Sequence, residues 1–494
     1  LTAEAEFHIP SAMIDPRPVA YVIGRILIVL AILMIAPAIV DWRAGDPNGF
    51  AFARCAVITG VVGAALSMAT SNGLGMGLDV RQAYLLTAGI WIVVPAFGSL
   101  PFWLGAPGLP PIYAYFEGVS GITTTGASVI TELAEKPLGM NLWRGMLNWL
   151  GGLGIAFIAM IFLPLMRVGG MQFFRTEGFD TFGKAMPRAT DIAKQLLVVY
   201  AGLTVMAASV YAALGMPTAE AVIHSMATIA TGGFSTNDTS FSSYSGAIQY
   251  AAALFMILGS LPYIRFVQLI NGSAQPLWRD QQARGYLLWL MSAVLAVAVW
   301  QAARAGLDWE TAFRESLFNL TSIMSSTGFF AGSFPLWGGP MLMIAFMLGV
   351  VGACSGSSAA GLSVFRVQIA MAVLRRQIRQ IANPSSVDPV KYQGRTVDGD
   401  VIHALIMFIS AYILILGLLS VGMTLLGVDR ESALFGVWTS LGNVGYGFGP
   451  LVERTGTFID FPEGAILIMT LAMILGRLGL VAILVLFLPA FWRR

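Results

Sequence analysis

Asn443-Val444-Gly445-Tyr446-Gly447 is a glycine-rich run set between apolar segments, and three earlier stretches share its setting. They are Thr124-Thr125-Gly126, Ala230-Thr231-Gly232 and Ser326-Thr327-Gly328. Each follows a short amphipathic run and precedes a polar stretch and a long apolar segment. Gly126, Gly232, Gly328 and Gly445 recur roughly every 100 residues, so the chain reads as a repeated supersecondary unit. One Thr-Gly between helices is an ordinary turn. Four in equivalent places, each beside a half-length helix, point to four segments that close one ring within a single polypeptide.

Composition sets the solvent of this ring. Of 494 residues, 57% are hydrophobic and 11% charged, and mean hydropathy is +0.76. That is the profile of a polytopic membrane protein. Apolar stretches of about 20 residues recur, each enough for ~30 Å of hydrocarbon. A net charge of +2 gives no reason to expect nucleic acid as a partner. Cys55 and Cys354 lie in or beside apolar segments, which argues against a structural disulfide. Three histidines and scattered carboxylates form no metal-ligand pattern, so no cofactor is expected. The first apolar run, 19–40, is too long for a signal-peptide core and reads as a transmembrane helix.

The pattern predicts an all-α integral membrane fold with ten spanning helices and four half-length pore helices. Two spans come first, 19–40 and 52–71. Repeat one has an outer helix at 82–104, a pore helix at 112–122 and an inner helix at 142–166. The same parts fall at 192–214, 219–229 and 247–270 in repeat two. They fall at 285–306, 309–325 and 340–374 in repeat three, and at 401–426, 432–441 and 464–491 in repeat four. The units are then 1–80 for the N-terminal pair and 81–190, 191–284, 285–397 and 398–494 for the repeats.

Charge orients this topology. The segments between outer and inner helices carry Lys136, Arg304, Arg314, Arg430 and Arg454, with many acids including Glu117, Glu132, Asp238, Glu310, Asp429 and Asp460. The opposite side carries Arg167, Arg175, Lys184, Arg265, Arg279, Arg366, Arg375, Arg376, Arg379, Lys391, Arg493 and Arg494, among others. The positive-inside rule places the glycine segments outside and both termini in the cytoplasm. Acids at the mouth would gather cations. The polar stretches 169–194 and 375–400 become cytoplasmic, either plain solvated loops or docking surface for a cytosolic subunit.

A ring of glycine segments can offer backbone carbonyls and Thr oxygens to a dehydrated cation. Val444-Gly445-Tyr446-Gly447 is the core sequence of the potassium-channel filter. The wider chain resembles the TrkH/TrkG–KtrB–HKT superfamily of potassium transporters, and most of all its TrkH/TrkG branch. The matching stretches are Trp143-Arg144, Gly151-Gly152-Leu153-Gly154-Ile155, Gly169-Gly170-Met171-Gln172 with Arg175 and Glu177, and His224-Ser225. They continue through Gly232-Gly233-Phe234-Ser235-Thr236, Ser326-Thr327-Gly328-Phe329, Asn443 to Gly449, and Leu475-Gly476-Arg477-Leu478. By this resemblance the potassium filter comprises Thr124, Thr125, Gly126, Ala230, Thr231, Gly232, Ser326, Thr327, Gly328, Asn443, Val444 and Gly445. Gly126 stands where the sodium-selective plant branch has serine, which favours potassium.

The third inner helix is interrupted by small residues from Gly352 to Gly361, including Cys354, Gly356, Ser357 and Ser358. Irregular backbone at membrane depth must line a cavity or be packed in protein; close helix packing through small residues is the plainer alternative. In the superfamily this stretch is an intramembrane gate loop. Arg477 lies in the last apolar helix with no adjacent acid, so it must face water or carbonyls, or else snorkel. The resemblance makes it part of the gate, projecting into the pore below the filter. Two departures stand out: Ser363 replaces the usual lysine, and Gly479 replaces a frequent glutamate. His224, beside the second filter segment, reads as hydrogen-bonded structure rather than a proton carrier. Gly73–Gly77 and Gly151–Gly154 follow no predicted strand, which removes a nucleotide-loop reading.

The resemblance implies potassium uptake across a bacterial inner membrane by a homodimer, with membrane lipid around it and a cytosolic TrkA-type ring that binds the nucleotide. Sodium-selective transport, or transport coupled to sodium or protons, stays open as the alternative. A membrane-embedded enzyme is set aside because no nucleophile, acid–base or metal constellation converges in the sequence.

Overall fold

The computed structural model describes residues 14–73, 79–157, 189–304, 306–385, 388–479 and 484–492. Its regular structure is almost entirely helical; the two strands described are a two-residue pair, Lys391–Tyr392 with Arg395–Thr396. Six helical stretches among the described residues are long and apolar enough to cross a membrane. They are Arg17–Arg43, Asn48–Ala69, Arg81–Leu104, Ala193–Ala213, Gln281–Arg304 and Gly399–Leu425.

The first two form a hairpin held by close backbone approach. A Cβ at Gly24 would sit 2.8 Å from the Gly63 carbonyl oxygen, and one at Gly63 would sit 2.8 Å from that of Gly24. Paired glycines let two helices meet without side chains between them, which is how helices associate where no water drives them together.

The other four spans are the outer helices of four repeats. Each packs on its own pore helix: Pro111–Ile122, Thr218–Ile229, Trp309–Met324 and Arg430–Leu441. The inner helices begin at Leu138, Gly246, Gly339 and Glu463. Inner helix 1 packs on pore helix 2, inner helix 2 on pore helix 3, and inner helix 4 on pore helix 1. Inner helix 3 meets pore helix 4 through Phe346 and Trp438, whose rings stack with centroids 5.5 Å apart while the indole N–H donates to the Phe346 carbonyl. The head-to-tail contacts therefore close a ring.

The inner helices differ from the sequence expectation. The sequence predicts four plain spans apart from the small-residue break in the third. Inner helix 2 is in fact two pieces, Gly246–Ser260 and Tyr263–Ile270, bent by 92°. Pro262 is the cause: it has no N–H to donate, and it holds Leu261 extended at φ −84°, ψ 153°. Inner helix 3 is Gly339–Val351, followed after the break by Val364–Ala382, which runs on where a cytoplasmic loop was expected to begin near 375. Inner helix 4 ends at Leu478, where Gly479 takes φ +75°. Inner helix 1 is described from Leu138 to Phe157; its expected continuation to 166, the loop 169–188 and the Gly169–Glu177 match lie outside the described residues.

Glycine sets the depth of three inner helices beneath the pore helices. A Cβ at Gly151 or Gly476 would strike the carbonyl oxygen that ends pore helix 1 or 4, at Ile122 or Leu441. At Gly259 it would lie 3.0 Å from that of Ile229, the end of pore helix 2. Gly476→Ala should therefore destabilise the protein by about 1–3 kcal/mol through overpacking against backbone. Gly202→Ala, at a helical position with open space around it, should be neutral or stabilising. Melting of the purified variants in detergent measures both, and equal midpoints for the two would contradict this packing.

Candidate functional site

Each pore helix ends in the same way. The residues following the caps Thr123, Ala230, Ser325 and Gly442 are Thr124, Thr231, Ser326 and Asn443, all left-handed with φ between +48° and +55°. Their N–H groups bond to Gly121, Thr228, Ile323 and Ser440 carbonyls. The next N–H groups, of Thr125, Gly232, Thr327 and Val444, reach back to Ser120, Ala227, Ser322 and Thr439 at 2.7–2.9 Å. These are four Schellman motifs, with Thr, Ser or Asn where glycine usually sits. A non-glycine residue there costs about 1–3 kcal/mol and persists when its surroundings over-determine it.

One step further lie Gly126, Gly233, Gly328 and Gly445, at φ +83°, +73°, +85° and +95°. The sequence reading aligned Gly232 with the other three glycines; the backbone corrects this by one residue. Gly232 is equivalent to Thr125, Thr327 and Val444, and Gly233 takes the ring position. The four glycines interlock in order. A Cβ on Gly126 would strike the Gly232 carbonyl oxygen, on Gly233 that of Thr327, on Gly328 that of Val444, and on Gly445 that of Thr125. All four distances fall well inside contact. Four carbonyls thus sit one repeat apart around an axis, each against the glycine of its neighbour.

Hydroxyls back this ring in alternate repeats. Thr123 pairs with Thr125 at 2.7 Å, and Ser325 with Thr327 at 2.6 Å. Ala230/Gly232 and Gly442/Val444 have no such pair. Behind Gly232 the Asn148 amide fills the space that a side chain would take. Asn443 donates to Thr125 Oγ1 at 2.9 Å and to the Met473 carbonyl at 3.0 Å, joining repeats four and one.

A second tier braces the outward strand that follows each glycine. Six residues before each pore-helix cap stand Glu117, His224, Asn319 and Gly436. Glu117 accepts from Ser128 Oγ at 3.0 Å and Val129 N–H at 3.1 Å. His224 Nδ1 lies 2.9 Å from the Glu220 carbonyl, which fixes the proton there and makes Nε2 the acceptor for Ser235 Oγ at 3.1 Å. Asn319 exchanges two bonds with the Ala331 backbone. Gly436 can make none; the fourth strand is instead packed by Tyr446 against Phe330, Phe334 and Phe448, centroids 4.8–5.0 Å apart.

The network around Glu117 was not foreseen. Arg144 binds Glu117 Oε1 at 2.9 Å, the Ser235 carbonyl at 2.8 Å and Ser128 Oγ at 3.1 Å, and lies over the Phe234 ring. Both charged side chains are fully buried, so Glu117 is not one of the mouth acids. Two opposite charges set among apolar segments are the one sequence signal that could have found this pair.

Below the ring lies the interrupted third inner helix. Residues 352–363 turn through Gly352, Gly356, Gly361 and Ser363, all with positive φ. Ala360 N–H donates to Ser326 Oγ at 2.8 Å, tying the loop to the left-handed residue of repeat three. Arg477 Nη2 donates to Thr124 Oγ1 and to the Ser358 carbonyl, tying it to repeat one. Its Nε and Nη1 have no hydrogen-bond partner among the described residues. Four pore-helix C-termini converge at this level, each carrying about half a negative charge. They are the compensation for a buried guanidinium with no acid beside it. Cys354 and Ser357 bond within the loop or to the neighbouring Ser260 carbonyl. Under the loop is a cavity of about 70 Å³, lined by Ser355, Ser357, Ser363, Arg366, Gly476 and Arg477 among others. Arg366 Nη1 lies 3.4 Å from Ser363 Oγ, so a positive charge stands one turn from Ser363.

Fold and site together define a multi-pass cation transport protein built from four pore repeats, not an enzyme. The family model described as TrkH, cation transport protein, matches residues 48–494. The Trk system potassium uptake protein TrkI of Halomonas elongata is 36% identical over 479 residues, covering 97% of each chain. TrkH of Escherichia coli K12 is 31% identical, covering 97% of this chain and 99% of the relative. The crystal structure of the potassium transporter TrkH from Vibrio parahaemolyticus superposes with a TM-score of 0.89 at 28% identity, over 97% of this chain and all of that one. The chain belongs to the TrkH family of cation transport proteins.

The corrected register has a direct test. Gly233→Ala places a methyl against the Thr327 backbone carbonyl at positive φ, whereas the nearest atoms to a methyl in Gly232→Ala belong to the Asn148 side chain and not to backbone. Cation flux through reconstituted protein should be abolished by the first and reduced only severalfold by the second. The reverse order would restore Gly232 to the ring.

Proposed function

We propose that this chain is a potassium uptake protein of the inner membrane. Potassium sheds most of its water at the ring of Thr125, Gly232, Thr327 and Val444 carbonyls, then passes the loop 352–361 and Arg477 into the cytoplasm. The observation that carries the reading is the interlock of four glycines with four carbonyls, which fixes the ring's size with backbone alone. Potassium uptake is what the relatives' names state, and the two departures from the superfamily leave this ring intact. The positive-inside charge bias supports cytoplasmic termini. A homodimer with a cytosolic, nucleotide-binding TrkA-type ring is proposed on the family likeness, with the nucleotide bound by that ring.

The loop is proposed as the gate, held by its bonds to Ser326, to Arg477 and to inner helix 2. Arg477 and Arg366 both line the cavity beneath it, so two positive charges oppose a passing cation. At ~5 Å and an effective dielectric near 20, one such charge costs a monovalent cation roughly 3 kcal/mol.

Two measurements on protein in liposomes test this. Gly126→Ser should lower the ratio of potassium to sodium uptake, because its side chain would meet the Gly232 carbonyl; an unchanged ratio in a folded variant would remove Gly126 from the filter. Arg477→Ala should raise flux more than Arg477→Lys, since lysine keeps the charge and loses the planar fork. Wild-type flux in folded Arg477→Ala would make this residue a purely structural one.

A further inference from the structure

Inner helix 2 breaks where the intramembrane loop lies across it. The bend at Leu261-Pro262 leaves the carbonyls of Gly259 and Ser260 free of helical partners. The loop takes both: Ser358 N–H bonds to Gly259 at 3.4 Å and Cys354 N–H to Ser260 at 3.3 Å. In return, Tyr263 N–H, the first of the second helical piece, donates to the Gly356 carbonyl at 2.9 Å. The loop and the break thus pair through backbone in both directions.

The Tyr263 side chain adds a polar bond of a different kind. Its hydroxyl lies 3.0 Å from the Ile229 carbonyl and 2.8 Å from Ser358 Oγ. One phenol proton serves one acceptor, so it donates to Ile229 and accepts from Ser358. Ile229 is the last residue of pore helix 2, directly before the filter cap Ala230. The ring is fully buried, set edge-on to Tyr200 with centroids 5.7 Å apart and near Phe266. The helix from Tyr263 to Ile270 carries Arg265, which pairs with Asp280 at 2.7 Å on the face that charge assigns to the cytoplasm.

We infer that Tyr263 is a positioning residue for gating: its hydroxyl pins Ser358 of the loop to the end of pore helix 2, and the Tyr263–Ile270 helix is the lever whose movement releases the loop. This rests on the reading of 352–361 as the gate. The geometry favours a latch over plain packing because the hydroxyl, not the ring, makes both connections. Tyr263→Phe keeps every ring contact and removes both bonds, while Ser358→Ala removes one and leaves its carbonyl bond to Arg477.

The test is potassium flux through the full chain in liposomes with no regulatory subunit added. One to two neutral hydrogen bonds correspond to about a three- to tenfold change in an equilibrium. Tyr263→Phe should raise unstimulated flux by about that factor with the potassium-to-sodium ratio unchanged. Ser358→Ala should raise it less, and the double variant no more than Tyr263→Phe alone, because the two substitutions break a shared bond. Additive effects, or a changed ion ratio, would overturn the latch. A loop variant lacking 354–359 separates the two levels. If it raises flux while Tyr263→Phe behaves as wild type, the latch is wrong and the gate stands. If neither raises flux, the gate reading falls and the latch with it. Should Tyr263→Phe fail to insert, wild-type flux in Ser358→Ala overturns the latch by itself.

Discussion

The structure depends on one steric constraint: four glycine α-carbons held against four carbonyl oxygens, each from the next repeat. No side chain fits between them. The contact sets how closely the four segments approach, and Gly126, Gly233, Gly328 and Gly445 all hold the positive φ that this approach requires. Everything around the ring preserves that approach. Schellman motifs fix where each strand leaves its pore helix. Glu117, His224 and Asn319 fix where three of the strands leave the ring, and aromatic packing does so for the fourth. Such rigidity is what a cavity must have if carbonyl dipoles are to replace an ion's water shell.

The inner helices are shaped by what lies under the ring. Gly151, Gly259 and Gly476 let three of them rise against the ends of pore helices. The third breaks instead, and its loop bonds to Ser326 and Arg477 beneath the ring. The negative ends of the pore helices favour a cation beneath the ring, whether a transported ion or the Arg477 guanidinium. Arg477 donates to Thr124, at the end of pore helix 1, and to the loop residue Ser358 at once. Pore helix 1 and the loop are therefore joined by one side chain, and displacing the loop must also free the guanidinium. Among the described residues no acid pairs with it, and position 479 is glycine.

Much of this was legible in the sequence. Hydropathy period and length found the outer and pore helices to within a few residues, because a lipid-facing or pore helix must satisfy its backbone internally. The small residues of 352–361 announced broken backbone for the same reason. Three features were not legible. The register of repeat two was read one residue early because Thr231-Gly232 mimics Ser326-Thr327-Gly328 locally, whereas the cap at Ala230 shows the true phase. The break at Pro262 was missed because an apolar run with one proline reads as a kinked span. The sequence expectation sets Glu117 at the mouth because its partner Arg144 lies 27 residues on, on the inner helix of the same repeat.

The most direct measurement of the central claim is the position of a heavy potassium analogue. Crystals of the full chain soaked in rubidium or thallium salts should show anomalous density on the axis between the Thr125, Gly232, Thr327 and Val444 carbonyl oxygens. Density confined to other sites, or an empty axis at concentrations that saturate transport, would contradict the account.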